Sequence, residues 1–340
     1  MAAFESGVLR GLLAGKALSF QQSQDLFNSI MQGELGEAQI AGVLVALAAK
    51  GESVEEIAGA ASAMRAHALK LPTGGRDVVD TCGTGGTGLK TFNISTTAAI
   101  VAAGAGACVA KHGNRTATRP SGSADVLAAL GVNIECDAAV EAKCLQEAGL
   151  CFCFAIKHHP AMRFAAPVRR ALGVRTVFNV LGPLTNPAGA RRQVMGVFDA
   201  KLVKTIAHVL SALGSQRAMV VHADDGLDEI STTSATHVAE LKDGQVSERV
   251  IQPEELGLAR SSLAELCVTS PQESAQRVRQ VLSGQGGPQR DIVCANAAAA
   301  LVVAGKAGDL REGLSLAGKS IDSGAAMAAL EKLIAVSNGR

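Results

Sequence analysis

The chain has 340 residues, 48% of them apolar and 19% charged, which excludes a disordered polymer and gives length for about two globular domains. Its formal net charge of +1 excludes a surface that holds nucleic acid by bulk positive charge. Trp and Tyr are absent, so the usual aromatic anchors for stacking on bases are missing.

The first residues, Met1-Ala-Ala-Phe-Glu-Ser6, lack the basic and then apolar segments of a signal peptide. Apolar runs such as 297–305 are too short to span a bilayer, so no membrane partner is expected. The eight cysteines are scattered without a C-x-x-C spacing. That predicts reduced thiols, no structural zinc and a cytoplasmic enzyme.

Leu26, Phe27, Ile30 and Met31 recur at helical spacing, as do Ile40, Val43, Leu44 and Leu47. Ser53 followed by Glu56 predicts a capping box on a further helix running to about Leu69. Pro72, Gly74 and Gly75 then break the chain. From Asp77 onward short apolar strands alternate with helices. Strands are expected at 77–80, 108–110, 150–156, 193–198 and 218–221. Helices are expected at 93–104, 123–130, 160–172 and 202–213, with a mostly helical tail from Pro271. Lys242-Asp-Gly-Gln245 between two alternating runs predicts a hairpin. The pattern is that of an α/β protein: a small all-helical domain, then a larger domain with a central, mostly parallel sheet flanked by helices.

Five motifs carry chemistry. In Asp80-Thr-Cys-Gly-Thr-Gly-Gly-Thr-Gly88, four glycines let the backbone approach a ligand between a strand and a helix. It is neither a P-loop nor a dinucleotide fingerprint, because the spacing differs. Thr91-Phe-Asn-Ile-Ser-Thr-Thr97 crowds hydroxyls and an amide at a helix start, more than capping needs. Lys111-His-Gly-Asn-Arg115, with Arg119 and Ser123 beyond, puts cations at the carboxyl edge of the sheet, where phosphates bind. His222-Ala-Asp-Asp-Gly-Leu-Asp-Glu229 gathers four carboxylates after a strand, a hard-oxygen set suited to Mg²⁺. Arg163, Arg169 and Arg170 share one expected helix; any of them could clamp a carboxylate. Two phosphate sites, a Mg²⁺ loop and a carboxylate clamp fit a substrate such as phosphoribosyl pyrophosphate.

These motifs, with His159-Pro-Ala-Met162 and Arg175-Thr-Val-Phe-Asn-Val-Leu-Gly-Pro-Leu-Thr-Asn-Pro187, resemble the anthranilate phosphoribosyltransferase family from the N-terminal helices to about Asp322. The resemblance implies transfer of a 5-phosphoribosyl group from phosphoribosyl pyrophosphate to the amine of anthranilate, in tryptophan biosynthesis. It implies a nucleoside phosphorylase-like fold. Residues 1–72, with about 168–188, would form a helical domain through which a homodimer assembles. Residues 76–167 and 189–340 would form the α/β domain. Gly83, Gly86 and Thr87 would line the sugar-pyrophosphate, and Thr91, Asn93, Ile94, Ser95 and Thr96 would hold pyrophosphate. Lys111, His112, Gly113, Asn114, Arg115, Thr116, Ala117, Thr118, Arg119 and Ser123 would close around the donor. Ser95, Asp228 and Glu229 would bind one or two Mg²⁺ ions. Gly83, Asn114 and Arg169 would touch anthranilate, with Asn114 and Arg169 orienting it and no residue acting as acid or base. Thr87 stands where the family usually has Asp, which bears on the ion count. The competing readings are a nucleoside phosphorylase and an inactive relative that binds nucleic acid. The Lys111–Arg115 and Asp225–Glu229 motifs and the neutral charge weigh against both.

Overall fold

A computed structural model of the protein describes residues 6–115 and 120–340. Four helices open the chain: α1 (Ser6–Leu13), α2 (Phe20–Gln32), α3 (Glu37–Lys50) and α4 (Val54–Ala66). Ser19 and Ser53 each accept the amide three residues on, and Gln22 and Glu56 reach back to the cap, so α2 and α4 both start in capping boxes. α4 stops at Ala66, short of the expected Leu69. The Leu69 amide donates instead to the carbonyl of His158 at 2.8 Å, which draws the chain out of the helix.

The rest alternates. β1 (Val79–Asp80), α5 (Ile94–Gly104), β2 (Val109–Gly113), α6 (Ser123–Leu130), α7 (Ala138–Glu147), β3 (Leu150–Phe154) and α8 (Ala155–His158) come first. A 3₁₀ turn (Pro160–Phe164), α9 (Ala166–Leu172), α10 (Phe178–Leu181) and a second 3₁₀ turn (Pro183–Thr185) follow. Then come β4 (Arg192–Gly196), α11 (Leu202–Ala212), β5 (Arg217–Ala223), β6 (Thr236–Lys242) and β7 (Gln245–Ile251). After a third 3₁₀ turn (Pro253–Leu256), the chain ends in α12 (Leu263–Leu266), α13 (Pro271–Leu282), α14 (Pro288–Val303), α15 (Leu310–Asp322) and α16 (Ala325–Ser337). The single helix expected over 160–172 is split. Pro167 has no N–H to donate and is tolerated only in the first turn, so a new helix begins at Ala166. The strand expected over 150–156 ends at Phe154, and α7 has no counterpart among the expected elements.

The strands form one sheet in the order β3-β2-β1-β4-β5-β6-β7. The first five run parallel; β6 and β7 are antiparallel, joined at Asp243 (φ 51°) and Gly244 (φ 77°). Two positive φ values in succession are what a twisted two-residue hairpin requires. Alternation along the strands feeds two cores. Met219, Val221 and Val238 join α5, α14 and α16 on one face. Met195, Val220, Ala239 and Leu241 face α11 and the N-terminal helices on the other. Val168, Val177, Phe178, Val180, Leu181 and Leu184 pack with those N-terminal helices, and Phe178 meets Phe27 edge-on at 5.6 Å. From β1 the sheet grows outward in both directions, so the carboxyl ends of β1 and β4 diverge and leave a crevice.

Candidate functional site

A cleft of about 420 Å³ opens at that crevice. Its wall includes Gly83, Gly86, Asn93, Ser95, Thr96, Lys111, His112, Gly113, Asn114, Arg115, Ser123, Arg169, Asp228 and Glu229. Residues from all five motifs are thereby gathered in one place. Thr87, Thr91 and Ile94 are not brought to the wall. Thr91 is buried in a bridge to Cys267, Ile94 lies in the core, and the Thr87 hydroxyl accepts from the Leu89 amide at 3.4 Å. Thr116, Ala117, Thr118 and Arg119 lie outside the described residues.

The glycine loop is fastened through its middle, at Thr84, Gly85 and Gly86. The Thr84 amide donates to the Gly196 carbonyl at 2.8 Å, and the Gly85 amide donates to Asp228 Oδ2 at 3.0 Å. Gly85 and Gly86 sit at φ 63° and 77°, which a side chain rarely adopts. Arg175 donates to the Gly86 carbonyl at 2.6 Å and stacks on Phe198 at 4.1 Å. Beneath the loop, the buried Lys111 donates to the Thr81 carbonyl at 3.0 Å and to the Ser95 hydroxyl at 3.4 Å. Asp80 accepts from the His112 amide at 3.1 Å and from Asn186 at 2.8 Å. Burial pushes its carboxyl up to about 6 against the pull of Lys111. Burial also raises the Cys82 thiol, with the carboxylates of Asp80, Asp228 and Glu229 adding to it, so Cys82 stays protonated and is no nucleophile at pH 7.

The acidic loop divides its carboxylates. Asp224 pairs with His237 at 2.8 Å. Asp225 shapes the loop, accepting from the Leu227 amide at 3.0 Å, from Ser231 at 2.6 Å and from Thr233. Asp228 and Glu229 remain on the cleft wall with Ser95. Asn296, in the Ala-rich part of α14, accepts from the Ile230 amide at 2.9 Å and donates to its carbonyl at 2.8 Å, pinning the chain just past Glu229. Two carboxylates and a hydroxyl form an all-oxygen donor set, which fits a hard cation and not a soft one.

A second, more apolar cavity of about 390 Å³ adjoins the first and shares His112, Asn114, Ala155, Arg169, Phe178 and Gly182 with it. Among the three candidate arginines, Arg169 lines both cavities, Arg163 lines only the second, and Arg170 lines neither and is exposed. Arg169 lies over the Phe178 ring at 5.2 Å, and burial lowers its pKa. Arg115 is held at the rim by Asp125 at 3.2 Å.

Residues 75–327 match the family described as glycosyl transferase family, a/b domain, and residues 6–68 match its helical bundle domain. An anthranilate phosphoribosyltransferase from Anaeromyxobacter dehalogenans (strain 2CP-C) is 55% identical over 325 residues, covering 95% of this chain and 96% of that one. The chain belongs to the anthranilate phosphoribosyltransferase family. It is accordingly a pentosyltransferase, acting in tryptophan biosynthesis. The anthranilate phosphoribosyltransferase structure from Thermus thermophilus superposes with a TM-score of 0.93 at 42% identity, covering 97% of this chain and 99% of that one. The Saccharomyces cerevisiae enzyme in complex with phosphoribosyl pyrophosphate and Mg matches with a TM-score of 0.90 at 27% identity, covering 100% and 99%. The same yeast enzyme in complex with 4-fluoroanthranilate matches with a TM-score of 0.87 at 26% identity, covering 98% of each chain.

For a phosphoribosyltransferase of this family, the cleft holds residues to which sequence reasoning gives no site role, four of them inside the Arg175–Pro187 motif. Phe178, Asn179, Gly182 and Pro183 reach it from the segment packed on the N-terminal helices, far in sequence from the glycine loop. Asn296 supports it from α14. The one sequence signal for Asn296 is an amide within an otherwise apolar helical run.

Proposed function

We propose that the two cavities divide the substrates, with phosphoribosyl pyrophosphate in the polar cleft and anthranilate at the wall shared by both. The observation that carries this is the position of Arg169 and Asn114, which face the polar cleft and the apolar cavity together. Arg169 would clamp the acceptor carboxylate, and Asn114 would orient its amine toward the sugar, a proximity effect. The amides of the Gly83–Gly88 loop, the helix start at Asn93–Thr96 and the cation of Lys111 would stabilise the departing pyrophosphate.

Ser95, Asp228 and Glu229 would hold Mg²⁺, which when bound neutralises charge on the leaving pyrophosphate. The aromatic amine is neutral at pH 7, so its attack needs no strong base. His112 is also spent: its ring nitrogens meet the Gly182 carbonyl at 3.0 Å and His159 at 3.3 Å.

The helical portion, residues 1–72 with about 168–188, would carry a second copy of the chain. Leu13 is 72% exposed and Val45 46% exposed, and both line one apolar groove between α1 and α3. Among the described residues no helix is long and apolar enough to cross a membrane. Eight unpaired cysteines suit a reducing compartment such as the cytoplasm.

The test is Asp228→Asn combined with Glu229→Gln. Metal-dependent activity should be lost while the fold persists by circular dichroism. A Mg²⁺ titration unchanged from the parent would remove this loop from the site.

A further inference from the structure

The His159-Pro-Ala-Met162 motif has no role in the assignment above, yet His159 lines the apolar cavity next to the wall shared by both. Its Nε2 lies 3.3 Å from Nε2 of His112, with ring centroids 5.1 Å apart, and both side chains are buried. The other nitrogen of His112, Nδ1, lies 3.0 Å from the Gly182 carbonyl. A carbonyl can only accept, so Nδ1 carries the proton. In a neutral ring Nε2 is then an acceptor, and its partner among the described residues is Nε2 of His159, which donates to it in the Nε2–H tautomer even though the His159 ring also bonds the Thr185 carbonyl. Both rings are neutral at pH 7: burial, with the neighbouring histidines adding to it, pushes His112 down to about 3 and His159 to about 4.

We infer that His159 is a positioning residue for the acceptor: by donating to His112 it fixes the tautomer that holds Gly182, and so the wall that Asn114 and Arg169 share. The chain of bonds runs from His159 through His112 on β2 to Gly182, which lies between α10 and Pro183. Gly182 lines both cavities. Without the donor, Nε2 of His112 is a buried acceptor with no partner. The ring then turns to find one and releases the Gly182 carbonyl. The donor is also held by a separate set of bonds through Asp228, Lys111 and Arg175, so the larger effect should fall on the acceptor.

The inference rests on the proposed placement of anthranilate, and the test separates the two. His159→Leu removes the donor at similar bulk, and His159→Gln keeps an N–H. Both are compared with Arg169→Ala in steady-state kinetics, after thermal melts establish that each is folded. His159→Leu should raise the anthranilate KM about tenfold and leave that for phosphoribosyl pyrophosphate within about twofold, with His159→Gln recovering most of the loss. If Arg169→Ala raises the anthranilate KM and His159→Leu does not, the positioning role is wrong and the placement stands. If neither raises it, the placement itself is wrong. Independently, ¹⁵N NMR of the histidines should find His112 as the Nδ1–H tautomer and His159 as the Nε2–H tautomer. The Nε2–H form of His112 would overturn the inference whatever the kinetics.

Discussion

Gly196, at the end of β4, is the tightest glycine against the acidic loop. A Cβ there would lie 1.7 Å from the Asp228 carbonyl oxygen and 2.9 Å from its Cβ. The obstacle is backbone, so no side-chain rotation relieves it. An ordinary close C···O approach is about 3.3 Å, so Gly196→Ala must drive the two chains apart by about 1.6 Å from the 1.7 Å contact. Asp228 also accepts from the Gly85 amide, so the displacement passes to the glycine loop. A misplacement near 1 Å can cost on the order of 100-fold in rate, and overpacking costs about 1–3 kcal/mol of stability. Gly196→Ala should therefore lose about 100-fold or more in kcat/KM and require more Mg²⁺. Gly59→Ala is the control: its Cβ would meet Ser23 Cβ at 2.7 Å, a clash between α4 and α2 away from the cleft. It should lower the melting temperature and leave kcat/KM of the folded protein unchanged. The assay is initial rate against Mg²⁺ concentration, with melts on both variants. A Gly196→Ala enzyme with parental rate and metal dependence would refute the coupling of β4 to the acidic loop.

Three further outcomes follow from the same geometry. Arg169→Ala should raise the anthranilate KM about 10- to 100-fold, the worth of a charge-assisted pair, and hardly alter that for phosphoribosyl pyrophosphate; equal changes in both contradict the clamp. His158 is bonded to Glu141 at 2.8 Å and to the Leu69 carbonyl at 2.8 Å; burial opposes its charge, but these partners outweigh it and raise its pKa. Its contribution to stability is then complete below about pH 6.5 and is lost as pH rises through the elevated value, so the melting-temperature gap between parent and His158→Gln should shrink from pH 6 to pH 9. A gap that widens with pH would reverse the sign. Leu13→Glu with Val45→Glu should shift sedimentation from dimer to monomer if a second copy covers that groove, and an unchanged profile would place the interface elsewhere.

The glycine loop, the helix starts and the acidic loop were legible because each is a local device. Glycine density marks a positive-φ turn, Ser and Thr mark a helix start, and clustered carboxylates after a strand mark a polar loop. The hairpin at Asp243–Gly244 was legible for the same reason. Sequence could not choose among Arg163, Arg169 and Arg170. The helix that carries Arg169 and Arg170 begins afresh at Ala166, and the direction each points depends on packing against Phe178. Nor could spacing show that Asp224 and Asp225 serve the loop while Asp228 and Glu229 face the cleft. Of the hydroxyl cluster at the start of α5, Ser95 and Thr96 reach the cleft wall, while Thr91 is buried where the chain bridges to Cys267. Asn179, Gly182 and Pro183 stand in the Arg175–Pro187 motif, but their place on the wall was not legible, because only the docking of their segment on the N-terminal helices brings them there.

The central claim is that this cleft joins a phosphoribosyl donor to anthranilate with the help of Mg²⁺. Anthranilate fluorescence followed with phosphoribosyl pyrophosphate, with and without Mg²⁺, tests it most directly. A Mg²⁺-dependent loss of signal with stoichiometric release of pyrophosphate is expected. Unchanged fluorescence in a folded protein that binds phosphoribosyl pyrophosphate would contradict it and move the acceptor to another amine.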